Sequence, residues 1–277
     1  MKILSFIKQS SFGNSHPQED FFAVSKNYPI FVVADGVSLN FDDDKNYPNH
    51  SGAGEAAKIF CETVILEAER RYKNFDESNL KDIFELGNKA VLEYNISQGR
   101  TKNTINYWDV DLFSATTSFL LIKDSKAYWW TLCDSGIALF NKNGKQLFIS
   151  LNVWIMLEKF IPKNLKKITG KERFKMLHKD YRNAVDENGR PVGYGVVTGE
   201  EAAKYYLNCG EADLNVGDLI FVYTDGFENY FNLKEFKDLF NLWPDDISSQ
   251  LENIIADRSK TELAKYGSEK TLIAISI

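Results

Sequence analysis

Two stretches of this chain share one design. Ile30-Phe31-Val32-Val33-Ala34 runs straight into Asp35-Gly36, and Leu219-Ile220-Phe221-Val222-Tyr223 passes through Thr224 into Asp225-Gly226. Neither run has a polar residue to wet a face, so each reads as a strand buried on both sides. A carboxylate at the end of such a strand emerges at the rim of the core on a rigid support. The glycine beside it admits a close approach of backbone or ligand. Asp-Gly is also a common turn dipeptide, and either pair alone reads as an ordinary turn. Two of them after such similar strands can aim two carboxylates at one point, the way hard divalent cations are held.

The 277 residues read as one domain, 1–277, because no internal repeat, low-complexity tract or Pro- or Ser-rich linker divides them. Hydrophobic residues make up 44% and charged residues 26%, which places the chain among globular rather than disordered proteins. Lys and Arg number 33 against 39 Asp and Glu, a net charge of −6. That balance argues against a nucleic-acid partner, whose phosphates need a basic face. Cys61, Cys133 and Cys209 are odd in number and widely spaced, which suits a reducing compartment and no disulfide framework. The opening Met1 to Lys8 is too short for a signal peptide, and no apolar run nears the roughly 18 residues of a membrane span. The expectation is a soluble, cytoplasmic protein with no membrane partner; its oligomeric state is left open, with a monomer favoured.

Alternation predicts strands over 3–8 and 21–24, and apolar stripes predict helices over 54–71 and 76–95, the second capped by Asp76, Ser78 or Asn79. Strands follow over 114–122, 127–132, 137–140 and 146–149, with a turn at Asp124-Ser125 and a hairpin at Asn143-Gly144. Short helices are expected over 151–160 and 171–178, and irregular chain over 186–199. Residues 200–206 have helical propensity, although Tyr205-Tyr206-Leu207 equally suits an edge strand. After the Leu219 strand come helices over 234–240 and 245–259 and a last strand over 271–277. Cys133-Asp134-Ser135-Gly136 breaks the sheet with a third carboxylate at a strand end. Asp42-Asp43-Asp44 reads as a solvated loop, Asp111 as a loop residue, His178 as a surface residue and Trp129-Trp130 as core. Cys133 reads as a buried small residue, since neighbouring acids would raise its thiol pKa rather than activate it.

The acids at strand ends are thus Glu19-Asp20, Asp35, Asp134 and Asp225. The three His and three Cys are scattered, so no zinc cluster forms, and no G-x-x-x-x-G-K-[ST] phosphate loop occurs. Carboxylates with a backbone carbonyl suit Mg²⁺ or Mn²⁺, which prefer oxygen and keep several waters. Two such ions about 4 Å apart can bridge a water, lower its pKa and clamp a phosphate. The composition of the site points to phosphoester hydrolysis. Expulsion of an alkoxide leaving group is helped by a general acid, for which His50 and His16 are the candidates.

In this order the motifs resemble those of the metal-dependent Ser/Thr protein phosphatases of type 2C, the PPM family. Gln18-Glu19-Asp20 is similar to its N/M-E-D element and Val33-Ala34-Asp35-Gly36 to its A-D-G. Ser51-Gly52-Ala53-Gly54-Glu55-Ala56-Ala57 is similar to its G-x-G-E-x-A helix start, and Ser114-Ala115-Thr116-Thr117 to G-A/S-T-T. Cys133-Asp134-Ser135 resembles the G-D-S turn, and Gly217-Asp218 through Asp225-Gly226 the G-D-x-x-x-x-x-S/T-D-G strand. The resemblance spans nearly the whole chain. It implies an α+β fold: a four-layer αββα sandwich of two antiparallel sheets flanked by helices, with a dinuclear Mn²⁺ or Mg²⁺ centre at one end. It also implies that Asp35 bridges both ions, that the Gly36 carbonyl binds one and that Asp225 holds the other. Glu19 and Asp20 would act through metal-bound waters, and Asp134 with Asp225 would match a weaker third site. The activity implied is attack of a bridging hydroxide on a phosphoserine or phosphothreonine of a phosphoprotein substrate. The sequence departs from the family pattern at three places. Ser15 replaces an Arg that holds phosphate, Gly136 replaces an Arg after G-D-S, and the terminal D-N reads Ser268-Glu269. Glu269 is then the substitute ligand one position late. The alternative is a catalytically impaired pseudophosphatase acting as a binding or regulatory module.

Overall fold

The computed structural model describes residues 1–11, 17–37, 51–107, 109–153, 157, 168, 170–242 and 247–277. One sheet runs in the order β1 (Lys2–Lys8), β10 (Lys270–Ser276), β9 (Leu219–Tyr223), β6 (Gly136–Phe140), β7 (Gln146–Ile149). The other runs β2 (Asp20–Val24), β3 (Ile30–Gly36), β4 (Ala115–Lys123), β5 (Lys126–Leu132), β8 (Asn208–Asp213). Every named pairing is antiparallel.

The apolar runs of β3 and β9 are explained by what lies on each side. Phe31 and Val33 fill the layer between the sheets, where they meet Ile220 and Val222 of β9 and Ile273 and Ile275 of β10. Ile30, Val32 and Ala34 turn the other way, toward α1 (Gly52–Arg71) and α2 (Asn79–Ser97), whose Phe60, Val64, Phe84 and Val91 cover them. Leu219, Phe221 and Tyr223 likewise leave the inter-sheet layer for the 3-10 helix Asp225–Asn232 and the helices that follow. These are α4 (Lys234–Asp238) and α5 (Ser248–Thr261). The result is the expected αββα sandwich, helices outside and two sheets within. α3 (Gly170–Asp180) belongs to a smaller cluster in which Leu177 packs with Cys133, Tyr194 and Val196.

Several expectations are refined. β8 was not anticipated: Asn208, Gly210, Glu211 and Asp213 give this edge strand no apolar alternation, and Gly210 is needed because a Cβ there would lie 2.6 Å from the Trp129 ring. Residues Glu201–Tyr206 form a 3-10 helix rather than a strand. α2 starts at Asn79 with Ser78 at the N-cap position but without a side-chain cap bond, and the Asp76 carboxylate accepts from the Ser78 amide instead. The 3-10 helix that opens at Asp225 carries no pattern separable from a turn. The helix expected over 151–160 lies largely outside the described residues. Trp129 and Trp130 are core, and the three cysteines are free, with Cys61 and Cys133 buried.

Candidate metal centre

Period-two alternation delivers the acids to one place. Phe31 and Val33 face the inter-sheet layer, so Asp35 faces it too, at its end. Opposite Asp35 on β2 is Asp20, and on β4 is Thr116. Asp20 is buried, and its Oδ2 accepts hydrogen bonds from Thr224 Oγ1 and Thr271 Oγ1, both at 2.8 Å. Those threonines belong to the other sheet, where the Thr224 amide donates to the Thr271 carbonyl at 3.1 Å and the Thr271 amide to Thr224 Oγ1 at 2.9 Å. Asp20 is therefore a strut between the sheets, and it fixes Asp225, the residue after Thr224, beside Asp35.

The two glycines answer to the same crowding. A Cβ on Gly36 would fall 2.7 Å from the Ala53 carbonyl carbon, and one on Gly226 would fall 1.8 Å from the Glu269 carbonyl oxygen. Neither Asp-Gly pair forms a two-residue hairpin turn: Gly36 is still in β3, and Asp225 opens a helix. At the third acid, Cys133 takes a left-handed conformation (φ 66°) that turns the chain into Asp134. The turn is docked on β4 by a 2.8 Å hydrogen bond between the hydroxyls of Ser135 and Thr116. Gly136 has no room for a side chain, because a Cβ there would sit 2.5 Å from the Tyr223 hydroxyl and 2.7 Å from Ser150 Oγ.

Glu269 lies just before β10 rather than inside an extended strand, and its direction is set by amides. Its carboxylate accepts from the Glu19 amide at 3.1 and 3.0 Å and from the Asp20 amide at 3.2 Å, clamping the start of β2. The Glu19 side chain turns toward α1 and accepts from Ser51 Oγ. Ser51 itself caps that helix, accepting from the amides of Ala53 and Gly54. The structure thus gathers Asp20, Asp35, Asp134, Asp225 and Glu269, with Glu19 one step removed. His16, His50, Ser15 and Asp42-Asp43-Asp44 lie outside the described residues.

Crowded, buried carboxylates resist ionising together. Burial raises Asp35 well above its ordinary value, and the charges of Asp20, Asp225, Asp134 and Glu269 add to it. Asp225 is pushed well up by burial, then by Asp134 and Asp20. Burial lifts Asp134 as well. Asp20 reaches about 6, burial winning over the hydroxyls of Thr271 and Thr224. Glu269 is pushed up to about 8 by burial and Asp20, against the pull of its two amide donors. Among the described residues no three His, Cys, Asp or Glu side chains enclose an ion by themselves. An open site is what Mg²⁺ or Mn²⁺, which keep several waters, would complete. The donor set fits: Asp20 Oδ1 and Asp134 Oδ1 are buried with no hydrogen-bond partner among the described residues, and burial drives the Cys133 thiol up, leaving oxygen as the donor.

One polar cluster corrects the reading of His178, while Asp111 lies in a loop as expected. His178 is not a surface residue: its Nδ1 is 2.6 Å from Asp111 Oδ2, and its side chain is 13% exposed. Arg182 completes a two-pronged pair with Asp111 at 3.0 and 2.8 Å. Burial alone would raise Asp111, but the hydrogen bond with His178 and the Arg182 charge hold it well below the usual carboxylate range. The cluster ties α3 to the loop before β4.

The family profile for protein phosphatase 2C matches residues 9–153, the stretch that contains Glu19, Asp20, Asp35, Gly36 and Asp134. A sequence search of curated proteins finds no match. Among solved structures, PppA, a key regulatory component of T6SS in Pseudomonas aeruginosa, superposes with a TM-score of 0.61 at 13% identity, covering 100% of this chain and 97% of that one. The serine/threonine phosphatase Stp1 from Staphylococcus aureus gives 0.59 at 14%, covering 100% and 95%. The Mycobacterium tuberculosis serine/threonine phosphatase PstP gives 0.57 at 14%, covering 100% and 98%, and its catalytic domain has been solved in complex with two manganese ions. These structural likenesses carry the αββα architecture over the whole chain. Among the described residues no helix is long and apolar enough to cross a membrane. By the match over residues 9–153, the chain belongs to the protein phosphatase 2C family.

Proposed function

We propose that the 277 residues form one phosphatase domain that hydrolyses phosphoserine or phosphothreonine in proteins, dependent on Mn²⁺ or Mg²⁺. The observation that carries this reading is the convergence of Asp20, Asp35, Asp134 and Asp225 at one end of the inter-sheet layer, with two buried carboxylate oxygens left unpaired. Family membership and the two manganese ions of PstP support it. Asp35, the Gly36 carbonyl and Asp225 would hold the ions, with Asp20, Glu19 and Glu269 around them and Asp134 toward a third. A bound pair of such ions supplies an activated water and positive charge for the phosphate. The chain's own part is to position them. The Asp20 strut sets the distance between strand ends, the Thr116–Ser135 bond holds the Asp134 turn, and the hydrophobic layer behind keeps bulk water to one side. The proton for the leaving group is assigned, on sequence grounds, to His50 or His16.

The second reading, a pseudophosphatase binding module, is favoured by one observation. Glu269, the substitute for the acid that Ser268 lacks, already spends both oxygens on the amides of Glu19 and Asp20. Hydrolysis of a phosphothreonine peptide, titrated with Mn²⁺ in the wild type and in Asp35→Asn, decides between them. The enzyme reading expects metal-dependent turnover in the wild type and a loss of roughly a hundredfold or more in the variant. Turnover that is absent from wild type at millimolar Mn²⁺, or unchanged in the variant, rejects it.

A further inference from the structure

β1 is the end strand of its sheet: it pairs with β10 on one side and, among the described residues, with no strand on the other. Two bonds fix which of its backbone groups are left over. The Thr224 amide donates to the Thr271 carbonyl and the Ile277 amide to the Asp218 carbonyl, so odd-numbered residues of β10 turn their amides and carbonyls to β9. Even-numbered ones face β1, where Leu272 stands opposite Phe6 and Ala274 opposite Leu4. The amides and carbonyls of Ile3, Ser5 and Ile7 therefore point out of the sheet, and among the described residues no hydrogen bond meets them. A row of unpaired donors and acceptors is a template for another strand.

The side chains of the same three residues are also uncovered. Leu4 and Phe6 pack toward the outer helices, Phe6 edge-on to Phe227. Ile3, Ser5 and Ile7 take the opposite face, the one that looks toward the second sheet. The cover ends early there, because β2, the edge of the second sheet, lies across from β10, and its Phe22 and Val24 are only partly buried. Ile3 is 44% exposed and Ile7 38%.

The order of residues along β1 says what fits beside it. Lys2-Ile3-Leu4-Ser5-Phe6-Ile7-Lys8 reads nearly the same in both directions about Ser5. Two copies related by a two-fold axis at Ser5 would pair antiparallel, Ile3 of each meeting Ile7 of the other, Leu4 meeting Phe6, and Ser5 meeting Ser5. Because Ser5 is itself one of the outward residues, the free backbone groups fall into register and can exchange about six hydrogen bonds. Isoleucine pairs then flank the serines on one face, and Leu4–Phe6 pairs continue the other. Lys2 against Lys8 at each end opposes the pairing, like charge facing like charge.

We propose that β1 is a self-association edge: a second copy of this chain pairs with it about a two-fold axis at Ser5, joining two five-stranded sheets into one. A single strand pair buries less than a standard interface, so the dimer is a weak one.

Sedimentation equilibrium of the full chain tests this. Wild type is expected to pass from monomer to dimer with a Kd of roughly 10–100 µM, tightening severalfold in about 0.5 M NaCl as the lysine repulsion is screened. Ser5→Pro removes an outward amide and leaves the donors of the β10 ladder in place, so it should weaken the dimer about tenfold or more. Register is read by cross-linking in a Cys209→Ser background, which removes the one thiol that is not buried. Opposed residues in such a pair lie about 5.5 Å apart at Cα, within disulfide reach. Ser5→Cys should therefore oxidise to a dimer, whereas two Ile7→Cys thiols would stand more than about 13 Å apart along the strands and should not. A wild type that stays monomeric to about 1 mM overturns the proposal, whatever other strand the edge accepts. So does a dimer that Ser5→Pro leaves unchanged or that salt dissociates, and so does cross-linking that is equal at the two cysteines or absent from both. Should Ser5→Pro fail to fold, the cysteine comparison decides.

Discussion

The Asp20 carboxylate accepts hydrogen bonds from Thr224 and Thr271 through one oxygen and leaves the other unpaired toward the acidic cluster. The two oxygens do different work. The paired one joins the sheets, and the unpaired one is held ready because its partner cannot rotate away. Thr271→Val keeps the shape of the side chain and removes the donor. It leaves Asp20 Oδ2 with Thr224 alone, at an expected cost of about 1–2 kcal/mol in urea unfolding. Thr224→Val should cost at least as much, since it also strips the acceptor of the Thr271 amide. The double variant should depart from additivity, because both hydroxyls serve one oxygen. Urea midpoints unchanged in both single variants would remove Asp20 from its bridging role. Cys133 shows a different use of one residue: a non-glycine side chain held at positive φ so that Asp134 can face the other acids.

Among the elements, α3 and the chain to Gly199 owe their placement to polar contacts more than to apolar packing. Asp111 reaches His178 67 positions away and Arg182 71 positions away, with Arg182 nearly fully buried. Asp111→Asn would take away the two-pronged carboxylate and leave that guanidinium only Glu200, 3.9 Å from its Nε, a loss of up to about 3–5 kcal/mol for a buried pair. The loss should be local. Amide exchange is expected to quicken in α3 and residues 181–199 while β3, β4 and β9 keep their protection; uniform loosening, or none, would contradict a latch. These separations also say why the cluster was invisible in the sequence: nothing local marks Asp111, His178 or Arg182 as partners. β3 and β9 were legible because burial on both faces leaves an unbroken apolar run, and the acids ending those runs were legible with them. β8 was not, because an edge strand written Asn208-Cys209-Gly210-Glu211 has no face to alternate. The orientation of Glu269 was hidden for a third reason: parity applies only inside a strand, and β10 begins one residue later.

For the molecule as a whole, the site works against the fold when metal is absent. Asp20 rises from 3.8 to about 6, Glu269 from 4.5 to about 8, and Asp35 and Asp225 move well upward, burial leading in each case. A carboxylate whose folded pKa lies above its unfolded value binds protons more tightly when folded. Its contribution is therefore complete below the unfolded pKa and is lost as pH climbs through the folded one. Lys270 shifts the other way, from 10.5 to about 8, so its penalty is already complete below pH 8 and is relieved only above it. Asp111, held low by His178 and Arg182 against its burial, gives up its contribution only on the acid side of ordinary carboxylate titration. The metal-free chain should accordingly be most stable near pH 4–5 and weaken steadily between about pH 5 and pH 8, where many proteins are at their best. A divalent cation bound to these oxygens, as proposed above, would take the place of the protons, and its affinity would grow as they leave. Melting temperatures recorded across that range should fall with pH in EDTA and should flatten or rise in saturating Mn²⁺. Parallel curves in the two conditions would show that the carboxylates gathered at the end of the sheets do not share one cation.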